Sequence, residues 1–539
     1  MKTVLVTLLL FTTSLLQAQS NYWVSFKDKA ASIYTISDPT AFMHSNAIAR
    51  RDKFNIPIDK SDLPVCKLYL DSIESLFGKV LVTSKWLNGA LIQADSFKII
   101  ENIQALSFVK KASESFKTKS VHIQNKFNYT EEIVNKKAFD YGDAQNQISM
   151  LIGNFLHNKG FTGSNIDIAI MDNGFPSVDT NEFYQDAFLD GRIIAGYDFV
   201  NLDDTLFDNN NGSHGNSVIS TMVSFKEGEL VGVSPMAKYY LFSTEDNANE
   251  GLREEYNWVL AAEMADTLLG VNAILSTSLG YSNGFNNASE NHTYEEMDGN
   301  STPITIGADF AAAKGFLVVN SAGNEGDKTW KYITAPADGD SVLAIGAVDK
   351  DKVIVNFSSL GPAVDGDVKP NVCAQGRAVY GVNKGGKLVT INGTSFSCPI
   401  TAGMAACLWQ AFPDKTNMEI FHAIEKSAHL FNQPNYEYGF GIPNFEEAYK
   451  ILENRFEEQF LVYPNPVSEV LQFFVPMEFK EKTVEVKIFA INGKILYNNS
   501  FLASKRSQEI HLPKGIDEGV YYFNLVHNKK KYKAKLVKM

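Results

Sequence analysis

The hydrophobic rhythm of the chain changes twice, and the changes divide it into three kinds of sequence. Between about residues 148 and 450, short and nearly unbroken apolar runs alternate with helical stretches; the clearest runs are Ile166–Met171, Ala273–Ser276, Phe316–Asn320 and Val342–Val348. Runs of this length that end in turn residues predict parallel strands buried on both faces. Their alternation with helices predicts an α/β fold built on a doubly wound, mostly parallel sheet. In such sheets reactive groups collect at the carboxyl ends of the strands. Ahead of this region, Tyr22–Phe26 reads as a strand, Trp86–Gly89 as a turn feeding Ala90–Ile92, and Asp95–Ile103 as a short helix. These elements predict a small α+β domain over about residues 20–112. The stretch Lys110–Gln147 is polar, rich in Lys, Ser and Asn, and lacks sustained periodicity. It reads as a linker whose exposure suits proteolytic cleavage. Near the C-terminus the rhythm becomes strict alternation at Val484–Ile488, with a further strand at Val520–Val526 and a hairpin signal at Asn492-Gly493. A separate small β-sandwich is predicted there.

Bulk properties narrow the class. A chain of 539 residues exceeds what one core organises, so two to four domains are expected. With 45% hydrophobic and 21% charged residues the chain has an ordinary globular composition, which argues against disorder or a fibrous repeat. The net charge of −13 argues against a nucleic-acid partner, which calls for a basic face. Lys2, the apolar run Val4–Leu16 and the small residue Ala18 form a secretory signal peptide. No later apolar stretch is long enough to predict a membrane anchor. The spacing of the four cysteines does not support a disulfide framework: Cys398 and Cys407 share a predicted helix, where nine residues of rise separate them by about 13 Å on nearly opposite faces, and Cys373 could reach either one only through the fold. They read as small buried apolar residues.

Three segments place a reactive side chain among small residues. Asp172 follows an apolar run and precedes Asn173-Gly174; by itself it reads as a strand-ending turn aspartate. His214 lies in Asn211-Gly212-Ser213-His214-Gly215-Asn216, ahead of the helix-compatible Val218–Val223, and alone reads as a loop histidine. Ser395 lies in Gly393-Thr394-Ser395-Phe396-Ser397-Cys398-Pro399, just before the small and apolar residues Ala402–Ala406 that predict a buried helix with Pro399 in its first turn. A serine there fits an N-cap, and it fits equally a nucleophile whose oxyanion is stabilised by free N–H groups and the helix dipole.

Taken together and in this order, the three motifs resemble the subtilase family of serine peptidases, an order characteristic of subtilisins. Further matching segments are Val231–Ala237, Ser278-Leu279-Gly280, Ser321-Ala322-Gly323-Asn324 and Gly439–Asn444. The resemblance extends over about residues 143–450. It implies an endopeptidase in which Asp172, His214 and Ser395 form a catalytic triad and Asn324 donates to the oxyanion. It implies that Ser278, Leu279 and Gly280 form the edge on which an extended polypeptide substrate pairs, with Thr334 at the floor of the pocket before the scissile bond. Asn173, Asn216 and Phe396-Ser397-Cys398 depart from the family's usual residues and put neighbouring packing and specificity in question. A catalytically silent surface binding protein or adhesin on the same fold is the alternative, against which the complete triad and Asn324 speak.

The flanking regions resemble family accessories. Residues 20–115 look like the inhibitory prodomain, acting as an intramolecular inhibitor and cut away within a linker and maturation region at 116–142; the peptidase domain then spans 143–455. Residues 460–539, with Val462-Tyr463-Pro464-Asn465-Pro466, Ile491–Lys494 and Gly519–Tyr522, resemble the C-terminal sorting domain of type IX secretion. Residues 1–19 being the signal peptide, the chain is expected to cross both inner and outer membranes to the cell surface or beyond, with the type IX machinery as partner. The chemistry requires no cofactor. The family often holds structural calcium; Asp203, Asp204 and Asp208–Asn211 read either as oxygen ligands for it or as a solvated polar loop.

Overall fold

The structure is a computed structural model that describes residues 20–114, 132–133, 141–207, 212–454, 462–463, 467–475, 479, 482–503, 507–513, 515–528 and 530–538. The signal peptide, most of the maturation region, the run 208–211 and Pro464–Pro466 lie outside the described residues. The chain divides into two compact units, residues 1–448 and 449–539.

The first unit opens with β1 (Ser20–Phe26), α1 (Ser45–Phe54), α2 (Lys67–Ser75), β2 (Lys79–Ser84), β3 (Gly89–Ala94), α3 (Phe97–Gln104) and β4 (Val109–Glu114). The strands form an antiparallel sheet in the order β2-β3-β1-β4. Strand alternation explains its two faces. Tyr22, Val24 and Phe26 point into a core with Ile73, Ile92 and Ile103, while Trp23 points the other way and stacks on Tyr256 at 4.1 Å. The sheet is thus buried on both sides, and the second side is covered by the domain that follows.

That domain contains β5 (Asp167–Asp172), β6 (Ile193–Asp198), α4 (His214–Val223), β7 (Lys238–Ser243), α5 (Leu252–Leu268) and β8 (Ala273–Thr277). It continues with α6 (Pro303–Ala313), β9 (Leu317–Ser321), β10 (Val342–Val348), β11 (Val372–Gln375), α7 (Thr394–Ala411) and α8 (Asn417–Ser427). Its seven strands run parallel in the order β11-β10-β9-β8-β5-β7-β6. The predicted doubly wound sheet is present, each of the four predicted strands lying within a residue of its expected start. Strands β8, β9 and β10 are buried along their whole length, as unbroken apolar runs require. Helix α7 is buried from Thr394 to Trp409 and packs on β8–β11 and α4. Small residues make this approach feasible: a Cβ added at Gly403 would lie 2.3 Å from a Val233 methyl. Glu132–Ile133, inside the segment read as a linker, pair antiparallel with Val389–Thr390. Cys66, Cys373, Cys398 and Cys407 are all buried and free, as the spacing of Cys398 and Cys407 predicts for that pair. Among the described residues no helix is long and apolar enough to cross a membrane.

The second unit is built of β12 (Val470–Phe474), β13 (Thr483–Ala490), β14 (Ile495–Leu502), β15 (Ser507–His511), β16 (Gly519–His527) and β17 (Lys530–Lys538). A four-stranded antiparallel sheet, β14-β13-β16-β17, and a smaller sheet containing β12 and β15 share one core. The alternation at Val484, Val486 and Ile488 is the inward face of β13, and Asn492-Gly493 turns β13 into β14, with Gly493 at φ 84°.

Candidate active site

Asp172 is the last residue of β5 and is fully buried. Its two carboxylate oxygens lie 2.9 and 3.0 Å from Nδ1 of His214, which is also buried. A carboxylate only accepts, so Nδ1 carries the proton and Nε2 is left as the basic nitrogen. His214 is the first residue of helix α4 and not a loop residue ahead of it. The reason lies in another element. Its backbone N–H donates to Oδ1 of Asn173 at 3.0 Å, and the Asn173 N–H donates to Asp172 at 2.8 Å. Asn173, a departure from the family pattern, therefore ties the helix start to the strand end. Gly215 permits the approach: a Cβ there would meet the Phe175 ring at 2.6 Å and the Gly174 carbonyl at 2.7 Å. Asn216, the second departure, accepts from the Tyr184 hydroxyl and donates to the Pro176 carbonyl, bracing the loop after Asp172.

Ser395 is the second residue of α7. The sequence places Pro399 in the first turn of this helix; it stands instead at the sixth position, inside the helix. Lacking an N–H, Pro399 cannot satisfy the carbonyl four residues earlier, which belongs to Ser395. The Ser278 hydroxyl fills that vacancy at 2.7 Å. The Ser395 hydroxyl in turn donates to the Ser278 carbonyl at 3.5 Å, a long contact that holds it weakly. Asn324 follows β9; its Oδ1 accepts from the Thr394 N–H at 2.9 Å and the Thr394 hydroxyl at 3.0 Å. With the oxygen occupied, the amide is oriented and its Nδ2 faces Gly393.

Ser278, Leu279, Gly280, Asn324, Thr334 and Ser395 line one cleft of about 380 Å³. Asp172 and His214 are not among its lining residues; Phe396, next to Ser395, connects them to it, with its ring 5.5 Å from the His214 ring. Thr334 is buried with its hydroxyl unpartnered, and a Cβ on Gly280 would come within 2.0 Å of that oxygen. Glu325, Lys328, Phe357 and Arg377 also line the cleft. Sequence reasoning missed them because they lie on loops whose path no local pattern sets. Burial pushes the Cys398 thiol up to about 12, so this near neighbour of Ser395 stays protonated and does not compete as a nucleophile. In the run considered for calcium, the Asp203 carboxylate is already engaged by the Thr205 N–H and hydroxyl at 2.9 and 2.7 Å. Asp203 and Asp204 alone close no ligand set.

A buried carboxylate–imidazole pair at the carboxyl end of a parallel sheet and a serine at a helix start form an arrangement suited to nucleophilic hydrolysis of the serine peptidase kind. Residues 163–441 match the Subtilase family, and the chain belongs to that family. Residues 21–133 match the Peptidase S8 propeptide domain of Bacteroidota, and residues 461–539 a secretion system C-terminal sorting domain. The chain is 26% identical over 381 residues to subtilisin amylosacchariticus of Bacillus subtilis subsp. amylosacchariticus, covering 70% of this chain and 85% of that protein. The same figures hold for subtilisin J of Geobacillus stearothermophilus. Among solved structures it resembles fervidolysin from Fervidobacterium pennivorans, a keratinolytic enzyme related to subtilisin. That likeness has a TM-score of 0.54 and 18% identity over 97% of this chain and 76% of that one, and it concerns the fold alone. The protein is a serine endopeptidase made with a propeptide, and its sorting domain directs it through type IX secretion to the cell surface or outside.

Proposed function

We propose that Asp172, His214 and Ser395 are the catalytic triad of this endopeptidase and that Asn324 is its oxyanion donor. The observation that carries this reading is the buried pair of contacts from the Asp172 carboxylate to His214 Nδ1, at 2.9 and 3.0 Å. It fixes the ring and its tautomer, so that Nε2 is the nitrogen able to take a proton.

In the reaction, Ser395 Oγ attacks the carbonyl carbon of the scissile bond while its proton passes to His214 Nε2. The imidazolium so formed is stabilised by Asp172, which stays ionised. Negative charge developing on the former carbonyl oxygen is met by Asn324 Nδ2 and the Ser395 N–H, oriented before the reaction begins. The tetrahedral species then collapses, the C–N bond breaks, and the leaving amine takes the proton from Nε2. Water repeats the sequence on the acyl-enzyme and regenerates Ser395. No cofactor enters these steps.

The substrate is an extended polypeptide that pairs along Ser278, Leu279 and Gly280, with one side chain entering the pocket whose floor includes Thr334. The protein is made as a zymogen: residues 20–115 act as the inhibitory prodomain, 116–142 as the maturation region, 143–455 as the peptidase and 460–539 as the sorting domain. Labelling the purified protein with a fluorophosphonate tests the triad. The parent chain is expected to label and Ser395→Ala to remain blank. An unlabelled parent together with a Ser395→Ala chain that still matures normally would sink the proposal.

A further inference from the structure

Arg377 is an exposed cation on the wall of the cleft that the proposed chemistry does not use. It stands two residues beyond the end of β11. The chain on either side of it is strapped to the segment that leads into Ser395. The Gly393 N–H donates to the Gly376 carbonyl at 2.8 Å, and the Ala378 N–H donates to Asn392 Oδ1 at 2.7 Å. The side chain is held as well. Arg377 Nη2 donates to Asn356 Oδ1 at 2.8 Å, and the guanidinium lies over the Phe357 ring, 5.7 Å from its centre. Asn356 Nδ2 donates to Asp327 at 2.8 Å, so the atom it turns toward Arg377 is its oxygen. The Phe357 carbonyl accepts from the Gly326 N–H at 2.9 Å, which sets Phe357 beside the loop that begins at Asn324. The other charges of the cleft are already engaged: Glu325 and Lys328 pair at 2.9 Å, and Asn356 bonds Asp327. Arg377 bonds no carboxylate among the described residues, and of the several N–H groups of a guanidinium Asn356 takes one.

Sheet order sets where Arg377 meets a substrate. Ser278–Gly280 follow β8, Asn324 follows β9 and Arg377 follows β11, in a sheet that runs β11-β10-β9-β8. At about 4.8 Å per strand, Arg377 stands about 10 Å beyond the oxyanion donor, on the side away from the pairing edge. An extended chain advances about 3.3 Å per residue. A substrate whose acyl half lies on Ser278–Gly280 therefore carries its first residues after the scissile bond toward Arg377. We infer that Arg377 is a specificity residue for the leaving half of the substrate, and that the peptidase favours polypeptides with Asp or Glu at the first or second position after the scissile bond. A planar guanidinium takes a carboxylate through two parallel N–H bonds, and Asn356 and the Phe357 ring hold this one in place for that geometry. The inference rests on the proposed nucleophile Ser395 and on pairing along Ser278–Gly280.

The test uses the mature enzyme and peptides built on a bond of casein that it cleaves. The acyl half is fixed, and Asp, Asn or Lys stands in turn at each of the first three positions after the bond. Product masses identify the bond cut, and kcat/KM is compared in competition at about 0.05 M and about 1 M salt. At low salt Asp is expected to exceed Asn about fivefold and Lys about tenfold at the first or second position. The preference is expected to shrink at high salt, because the pair is exposed. Arg377→Gln is expected to bring the ratio of Asp to Asn to about one, Arg377→Glu to turn the preference toward Lys, and Arg377→Lys to keep part of it. A parent enzyme without a preference for Asp, a preference at the third position alone, or a preference unchanged in Arg377→Gln overturns the inference. Failure of the triad reads separately: a fluorophosphonate label on the same preparation would map by mass to a serine other than Ser395, while the peptide ratios still report on Arg377.

Discussion

Ser278 shows how far a residue's work can lie from its motif. The Ser278-Leu279-Gly280 segment is expected to meet substrate through its backbone, and it does line the cleft. The Ser278 hydroxyl, however, bonds the carbonyl of Ser395, which Pro399 leaves without its helical donor. Removing the hydroxyl strands a buried carbonyl directly behind the proposed nucleophile. Ser278→Ala is expected to cost about 1–3 kcal/mol in stability. It should also lower kcat more than it changes KM, read from thermal unfolding and steady-state kinetics on one preparation; unchanged stability would argue that water replaces the hydroxyl at no cost. Asn324→Ala tests the oxyanion role. Its expected loss is about 10²–10³ in kcat, the magnitude found for an oxyanion asparagine in a subtilisin, with KM little changed. The motifs that carry Asp172, His214, Ser395 and Asn324 were legible because each is short and contiguous in sequence. The bond from Ser278 to Ser395 was not, because it joins residues 117 positions apart and answers a missing N–H that only the helix register exposes.

At the scale of elements, the parallel strands could be read from their apolar runs, because burial on both faces leaves the sequence no polar alternation to hide in. Helix starts were less legible. The start of α4 at His214 depends on an Asn173 side chain from another element, and the shift of α7 relative to Pro399 depends on Ser278. The start of α6 shows a further dependence of this kind. Asp338, buried beneath it, accepts from the Thr305 hydroxyl at 2.7 Å and the Gly299 N–H at 3.0 Å. Burial raises its carboxyl from 3.8 to about 6. The folded state thus binds a proton that the unfolded chain has already lost between these values. The contribution of Asp338 is therefore complete below about pH 3.8 and falls away as pH rises through about 6. Asp338→Asn, which keeps an acceptor and cannot ionise, is expected to flatten that part of the stability profile. Thermal unfolding between these pH values checks it, and a parallel fall in the variant would assign the slope to another group.

At the scale of the whole molecule, the changes of rhythm along the chain foretold the order of its parts but not how the first part grips the second. Nothing local in the sequence marks Arg50 and Arg51 of α1 as buried, since the Asp266 carboxylate they share lies more than two hundred residues away. The last part is different in kind, because its burial is internal: Val484, Val486, Ile488, Phe523 and Leu525 form a core of their own within a separate compact unit. Removing residues 460–539 should therefore leave the core of the peptidase and of its propeptide intact, while deleting the signal that selects the type IX route. The truncated chain is expected to unfold at the same temperature as the peptidase part of the full protein and, once purified, to label equally with a fluorophosphonate. In the producing cell it is expected to remain inside, read by immunoblot of cell and medium fractions. Equal amounts of truncated and full-length protein outside the cell would separate export from the sorting domain. Loss of labelling in the purified truncated protein would instead mean that the peptidase depends on the C-terminal unit for its fold.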